Sequence, residues 1–203
     1  PSLALVTDSG TVGDGITNVA TVNVGGLESG ATWEYKVGNG NWTSSAGSSF
    51  NLTSGSNSYS VRQTDAAGNV SAASSSITFV LDTAAPTVSA SSSVSSVSAG
   101  QTATVTFTAS ESVTGLDVSD FTVTNGTLGS LIQSTTDPKV YTATFTAGAS
   151  AQGTASISLT GAYTDLAGNA GGAGSPLSLT IAASTPTGSS GSVIDGYISG
   201  ALV

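Results

Sequence analysis

Along most of the chain, apolar and polar residues alternate one by one. Ala20, Val22 and Val24 are separated by Thr21 and Asn23, Trp33, Tyr35 and Val37 by Glu34 and Lys36, and Tyr59, Val61 and Gln63 by Ser60 and Arg62. Further on, Val105, Phe107 and Ala109 alternate with threonines, as do Tyr141, Ala143 and Phe145, while Ala155, Ile157 and Leu159 alternate with Ser156 and Ser158. A period of two sends every second side chain to the same face, which is the pattern of a half-buried strand. Gly, Asn, Asp and Ser fall between these runs, where turns need them. The spacing predicts strands near 3–7, 19–25, 32–37, 41–44, 49–53, 58–64 and 75–81, then near 87–91, 101–109, 120–124, 127–133, 139–146, 154–160 and 176–182. No segment carries a helical period.

The pattern also repeats at long range. TDAAGN at 64–69 returns as TDLAGN at 164–169, one hundred residues later, and Pro86-Thr87 returns as Pro186-Thr187 at the same offset. Ile77, Phe79 and Leu81 correspond in the same way to Leu177, Leu179 and Ile181. That period is too long for a solenoid repeat and matches one β-sandwich domain. The expected division is a first sandwich over 1–85, a second over 86–182, and a Ser/Gly linker with the start of a following module over 183–203.

Composition explains the outer faces and narrows the chemistry. Ser and Thr make up about a third of the 203 residues and only 7% are charged, which alone would suggest a disordered linker. Hydrophobic residues reach 38%, however, and are spread along the whole length, so a core can form. β-Branched Thr suits a pleated surface, and its hydroxyl keeps that surface wet without charge. Trp33 and Tyr35 are expected in the core. The net charge of −9 comes from twelve acids against Lys36, Arg62 and Lys139. With no basic patch, binding to nucleic acid or to anionic headgroups is not expected.

The absence of Cys and His excludes zinc sites built on those ligands, haem ligation, thiol nucleophiles and Ser-His-Asp triads. No apolar run approaches the roughly 18 residues of a membrane-spanning helix, so no direct membrane insertion is expected. Paired carboxylates could in principle hydrolyse glycosides, but metal ligation or turn formation accounts better for acids placed in loops, and no enzyme is expected. A cysteine-free extracellular chain must be stiffened by something other than disulfides. The start at Pro1, without Met or a leader, reads as a monomeric fragment of a longer protein, and VIDGYISGALV at 193–203 as the first strand of a further domain.

Several strings carry a family resemblance. DTAAPT at 82–87, TDAAGN, TDLAGN, ATWEYKVGNGNW at 31–42 and YSVRQTDAAGNVS at 59–71 resemble bacterial immunoglobulin-like repeats of giant surface adhesins, RTX-type proteins secreted by type I systems. FTASESV at 107–113 with SDFTVTNGTL at 119–128 is similar to a second repeat subtype of those proteins. The fold class expected is all-β, two tandem immunoglobulin-like antiparallel β-sandwich domains end to end. The resemblance implies extender domains at the bacterial cell surface, stiffened by calcium and packed against neighbouring Ig-like domains of the same chain, which hold a ligand-binding region away from the cell for adhesion or biofilm formation.

The acids are placed to match. Glu111, Asp117 and Asp120 fall in one loop of the second domain and Asp165 with Asn169 in another, and in such a sandwich both loops lie at the end where the linker brings Asp82. Converging carboxylates repel unless a cation sits between them, and Ca2+ accepts six to eight oxygens in flexible geometry. The expected metal site is Asp82, Glu111 and Asp165, with Asp120 or Asp117 as a fourth ligand. A second loop, Asp8 to Asn18, resembles calcium-binding loops of the same repeats, with Asp8 and Asp14 as ligands and Asn18 as helper. A third candidate pairs Glu28 with Asp65. The competing reading is an Asx-turn for the first site and a plain glycine turn for the second, while the third lacks the linker Asp of a preceding domain. The second junction has Ala182 where the first has Asp82, and is expected to lack a metal and to bend more freely. The alternative function is a carbohydrate- or protein-binding module using exposed loops around Trp42 or Asn39-Gly40.

Overall fold

The computed structural model describes residues 1–160 and 163–183. The first unit contains β1 (Ser2–Leu5), β2 (Ile16–Thr17), β3 (Thr21–Gly25), β4 (Thr32–Val37), β5 (Thr43–Ser45), β6 (Ser49–Asn51), β7 (Gly55–Thr64) and β8 (Ile77–Leu81). One sheet runs β1-β3-β6 and the other β2-β8-β7-β4-β5. The second unit contains β9 (Val88–Ser92), β10 (Ser96–Ser98), β11 (Thr102–Ala109), β12 (Val113–Thr114), β13 (Phe121–Thr124), β14 (Gly126–Leu128), β15 (Ile132–Gln133), β16 (Val140–Ala147), β17 (Gly153–Leu159), β18 (Thr164–Asp165) and β19 (Leu177–Ala182). Its sheets run β10-β19-β17-β13 and β14-β16-β11-β9, with β15 also on β16 and a separate two-stranded ribbon of β12 and β18. The chain is all-β and builds two sandwiches, each with its own core.

Alternation decides which residues enter those cores. Val22, Val24, Trp33, Phe50, Tyr59, Val61 and Phe79 form one buried cluster, and Tyr35 stacks on Phe50 with ring centroids 4.3 Å apart. In the other, Val105, Phe107, Phe145, Ile157 and Leu179 are all at most 2% exposed. Each such side chain stabilises the fold by about 1.5–3 kcal/mol relative to an exposed one. The threonines between them face outward, as on β11, where Thr102, Thr104 and Thr108 are exposed and Ala103, Val105, Phe107 and Ala109 are buried.

The long strands follow the predicted ones, and the differences are in short pieces. β2, β10, β12 and β18 are each two or three residues long and show no alternation that could reveal them. The expected strand over 127–133 is two strands, β14 and β15, both paired with β16. A 3-10 turn, Val118–Asp120, precedes β13. The expectations for the second linker beyond Ala183 and for a further strand at 193–203 lie outside the described residues.

Two of the short strands set the geometry of the junction. β2 runs parallel to β8, with Thr17 opposite Leu81, and the Asp82 N–H then donates to the Thr17 carbonyl at 2.9 Å. β12 pairs antiparallel with β18, placing Val113 opposite Asp165. The linker between the units is pinned at both ends. Pro86 is buried, its carbonyl oxygen lies 3.2 Å from the Tyr163 hydroxyl, and Thr87 and Ser110 exchange hydrogen bonds.

Tyr163 is 1% exposed, and its hydroxyl faces the carbonyls of both Pro86 and Gly172. Tyr163→Phe leaves the ring in place and strips these buried carbonyls of a donor, so a loss of about 1–2 kcal/mol is expected. For a unit of this size that lowers the melting temperature by roughly 4–8 °C per kcal/mol, which calorimetry reads directly.

Candidate metal centre at the junction

Three segments bring an acid to one point. Asp82 follows β8 out of the first unit, Glu111 precedes β12, and Asp165 lies on β18. The ribbon of β12 and β18 holds the latter two side by side. One carboxylate oxygen from each of the three lies within 4.8 Å of the others. Asp165 is 1% exposed, while Asp82 and Glu111 are half-buried.

Asn169 frames the cluster. Its side-chain N–H groups donate to the Asp165 carboxylate at 2.7 Å and to the Asp82 carbonyl at 3.0 Å, and its backbone N–H donates to the other Asp165 oxygen at 2.8 Å. These bonds fix the Asp165 side chain and tie the linker to the second unit. Among the described residues no Lys or Arg nitrogen is within ion-pairing distance of any of the three acids. Burial, and then the neighbouring charges of Asp82 and Asp165, raise the pKa of Glu111 above the usual glutamate range.

That shift gives a signed expectation. Between the usual glutamate range and the raised pKa the folded chain keeps a proton on Glu111 that the unfolded chain has released, so without a cation this contribution to stability is full at low pH and is lost as the pH rises through that window. Glu111→Gln should therefore raise the melting temperature at pH 7 in chelator, where it removes repulsion. It should lower it in calcium, where it removes a ligand charge. The same sign in both buffers would show that Glu111 does not face a cation.

The other acids are used differently. Asp120, expected as a fourth ligand, is buried in a capping box: its carboxylate accepts from the Asp117 N–H at 2.8 Å and it stands apart from the cluster. Asp117 accepts from the Ser119 N–H and hydroxyl, which hold its pKa low. Short polar side chains before a turn satisfy free backbone donors in this way. Asp65 closes its own loop by accepting from the Ala67 and Asn69 N–H groups, and Asn69 chiefly lowers its pKa. Glu28 is paired with Gln63.

In the loop from Asp8 to Asn18, Asp8 accepts from Gly13 N–H at 2.6 Å and Asp14 from Ile16 N–H at 2.8 Å. The second Asp8 oxygen is buried without a partner. Asn18 does not assist these acids. Its side chain points across the junction and donates to Asn169 at 3.3 Å.

This loop is the first unit's half of an interdomain contact that alternation does not reveal. The Ser9 hydroxyl donates to the Ala167 carbonyl at 2.6 Å and the Thr11 N–H to the Leu166 carbonyl at 3.1 Å. Gly10 (φ +70°) sits directly against Gly168 (φ +87°), and a Cβ at Gly10 would overlap the Leu166 carbonyl oxygen. Both glycines are needed twice over, for the left-handed backbone and for the close approach. Glycine at 10 and 168 was the available signal, but it does not say which loop meets which.

Trp42, the aromatic expected on an exposed loop, is half-buried and engaged. The Arg62 guanidinium lies 4.3 Å from its ring centroid, Lys36 Nζ lies 5.2 Å from it, and Arg62 is also paired with Glu34 at 2.7 Å.

The two facing sheets and their strand order make each unit an immunoglobulin-like β-sandwich. The family model of the bacterial Ig-like domain matches residues 82–182, a span that starts at the linker acid and covers the second unit. Among solved structures, the chain is similar to the fibronectin(III)-like modules of Clostridium thermocellum CbhA (15% identity, 90% of this chain and 95% of that chain, TM-score 0.36). It is also similar to the SGBP-B protein of the Bacteroides ovatus mixed-linkage glucan utilization locus, in complex with a mixed-linkage heptasaccharide (16% identity, 90% and 48%, TM-score 0.28). A third similar structure is a D1–D4 ectodomain fragment of ICAM-5 (19% identity, 90% and 53%, TM-score 0.35). The chain thus spans about half the length of the latter two. No curated protein matches. Among the described residues no helix is long and apolar enough to cross a membrane.

Proposed function

We propose that this chain is a pair of structural extender domains from the stalk of a bacterial cell-surface adhesin, stiffened at their junction by a calcium ion held by Asp82, Glu111 and Asp165. The observation that carries this reading is the convergence of three carboxylates from the linker and two loops, with no basic group beside them. The donor set is oxygen only, partly buried and acidic, which suits a hard cation with flexible coordination. Bound calcium supplies a positive charge that cancels this repulsion. The protein does the rest: Thr17 and Asn169 hold Asp82 in place, the ribbon of β12 and β18 holds Glu111 beside Asp165, and the contacts of Ser9, Thr11 and Asn18 align the first unit on the second. An ion bound only by the aligned arrangement stabilises it by mass action. Nothing in this role requires catalysis.

Isothermal titration with calcium on the wild type and on Asp82→Ala tests the assignment. The variant should bind one equivalent fewer. Equal stoichiometry in the two would remove Asp82 from the site, and no binding to either would remove the calcium reading.

A further inference from the structure

The two TD-x-AGN loops are built alike but differ in what covers them. In both, the aspartate accepts from the asparagine N–H at 2.8 Å, the asparagine side chain donates back to the same carboxylate, and the glycine has positive φ. In both, the glycine N–H donates to the aspartate carbonyl, and the first threonine is bridged to the residue after the asparagine. Yet Asp165 and Ala167 are each 1% exposed, whereas Ala66, Ala67, Gly68, Asn69 and Val70 are all exposed. Gly168 is in contact with Gly10, whereas nothing lies within 4 Å of a Cβ at Gly68. The covered loop receives its partner through the carbonyls of Leu166 and Ala167 and the side chain of Asn169. Ala66, Ala67 and Asn69 carry the same groups.

We infer that the 64–70 loop is a docking surface for the far end of another Ig-like unit of the first unit's kind: one that presents a Ser-Gly-Thr loop like 9–11 and an acidic linker like 82–85. The internal junction supplies the template. The second unit is not the occupant, because its corresponding loop, Ser93–Ser95, has neither the Gly nor the Asp of Asp8–Gly13. Glu28 and Asp65 occupy this end of the first unit as Glu111 and Asp165 occupy that of the second, so the incoming linker aspartate would make a third acid. The inference extends the stalk reading to this end and rests on it for the role, though the polar contacts themselves need no ion.

Leu166→Ala in the full chain makes the second loop identical to the first, TDAAGN. Thr11 amide exchange should stay within about twofold of wild type, because docking uses backbone carbonyls. A tenfold or greater loss of Thr11 protection would overturn the inference. A second test fuses residues 1–85 directly ahead of Pro1 of the full chain and compares that protein with its Ala67→Tyr variant in the receiving copy, by small-angle scattering and thermal unfolding. Ala67→Tyr should shorten and loosen the three-unit protein while leaving the melting temperature of the two-unit chain unchanged. No difference between the two fusions would overturn the docking. Both tests are run in calcium and in chelator. Retained Thr11 protection in chelator, together with no calcium binding, would overturn the metal assignment alone and leave this inference standing.

Discussion

Removing calcium should lower the melting temperature of the second unit by roughly 10–20 °C. An ion present at a hundred times its dissociation constant contributes about 2.7 kcal/mol to the state that binds it. A domain of about a hundred residues shifts by roughly 4–8 °C per kcal/mol. The ion-free state that remains holds Asp82, Glu111 and Asp165 facing one another within 4.8 Å, a repulsion already contained in that binding free energy. Differential scanning calorimetry with calcium and with chelator gives the shift, and Asp82→Ala is the control that should respond little to either. An unchanged melting temperature in wild type would leave the three acids as turn-forming groups and the junction stiffened by the polar contacts alone.

Gly10→Val should separate the two sandwiches without unfolding either. The valine meets a left-handed backbone, which costs an ordinary residue about 1–2 kcal/mol, and its Cβ overlaps the Leu166 carbonyl oxygen. The cores are remote from it, so their melting should change little. The Thr11 N–H, which donates to that carbonyl, should exchange at least tenfold faster, and scattering should show a bent, heterogeneous particle. Wild-type Thr11 protection and an unchanged scattering profile would show that the loop relaxes around the side chain and that the glycine contact does not align the units.

Much of this architecture was legible because a strand's period is strict and each sandwich buries one face of each sheet. Trp33, Val61, Phe107 and Ile157 could be placed in the cores from their neighbours in sequence alone. The convergence of Asp82, Glu111 and Asp165 was legible for another reason: with so few charged residues, acids in loops at one end of a fold of known topology have little freedom. Asp120 shows where that reasoning stops. Its position in the same loop was correct, but a three-residue turn directs its carboxylate back to Asp117 N–H, and no spacing rule distinguishes a capping aspartate from a ligand. The interdomain contact escaped because it is made by carbonyls, a serine hydroxyl and two glycines, none of which leaves a periodic trace. Tyr163 escaped for a similar reason. Its role depends on where the Pro86 carbonyl lies in space.

The parallel pairs have a mechanical consequence. In each unit a short strand early in the chain, β2 or β10, lies parallel to the last strand, β8 or β19. When the two ends of a unit are drawn apart, two parallel neighbours near opposite ends of the chain are dragged past each other lengthwise. Their evenly spaced hydrogen bonds are then loaded together, in shear, rather than opened singly as in a zipper. Tension drawn along the chain would therefore be met by a small clamp beside the exit strand of each sandwich.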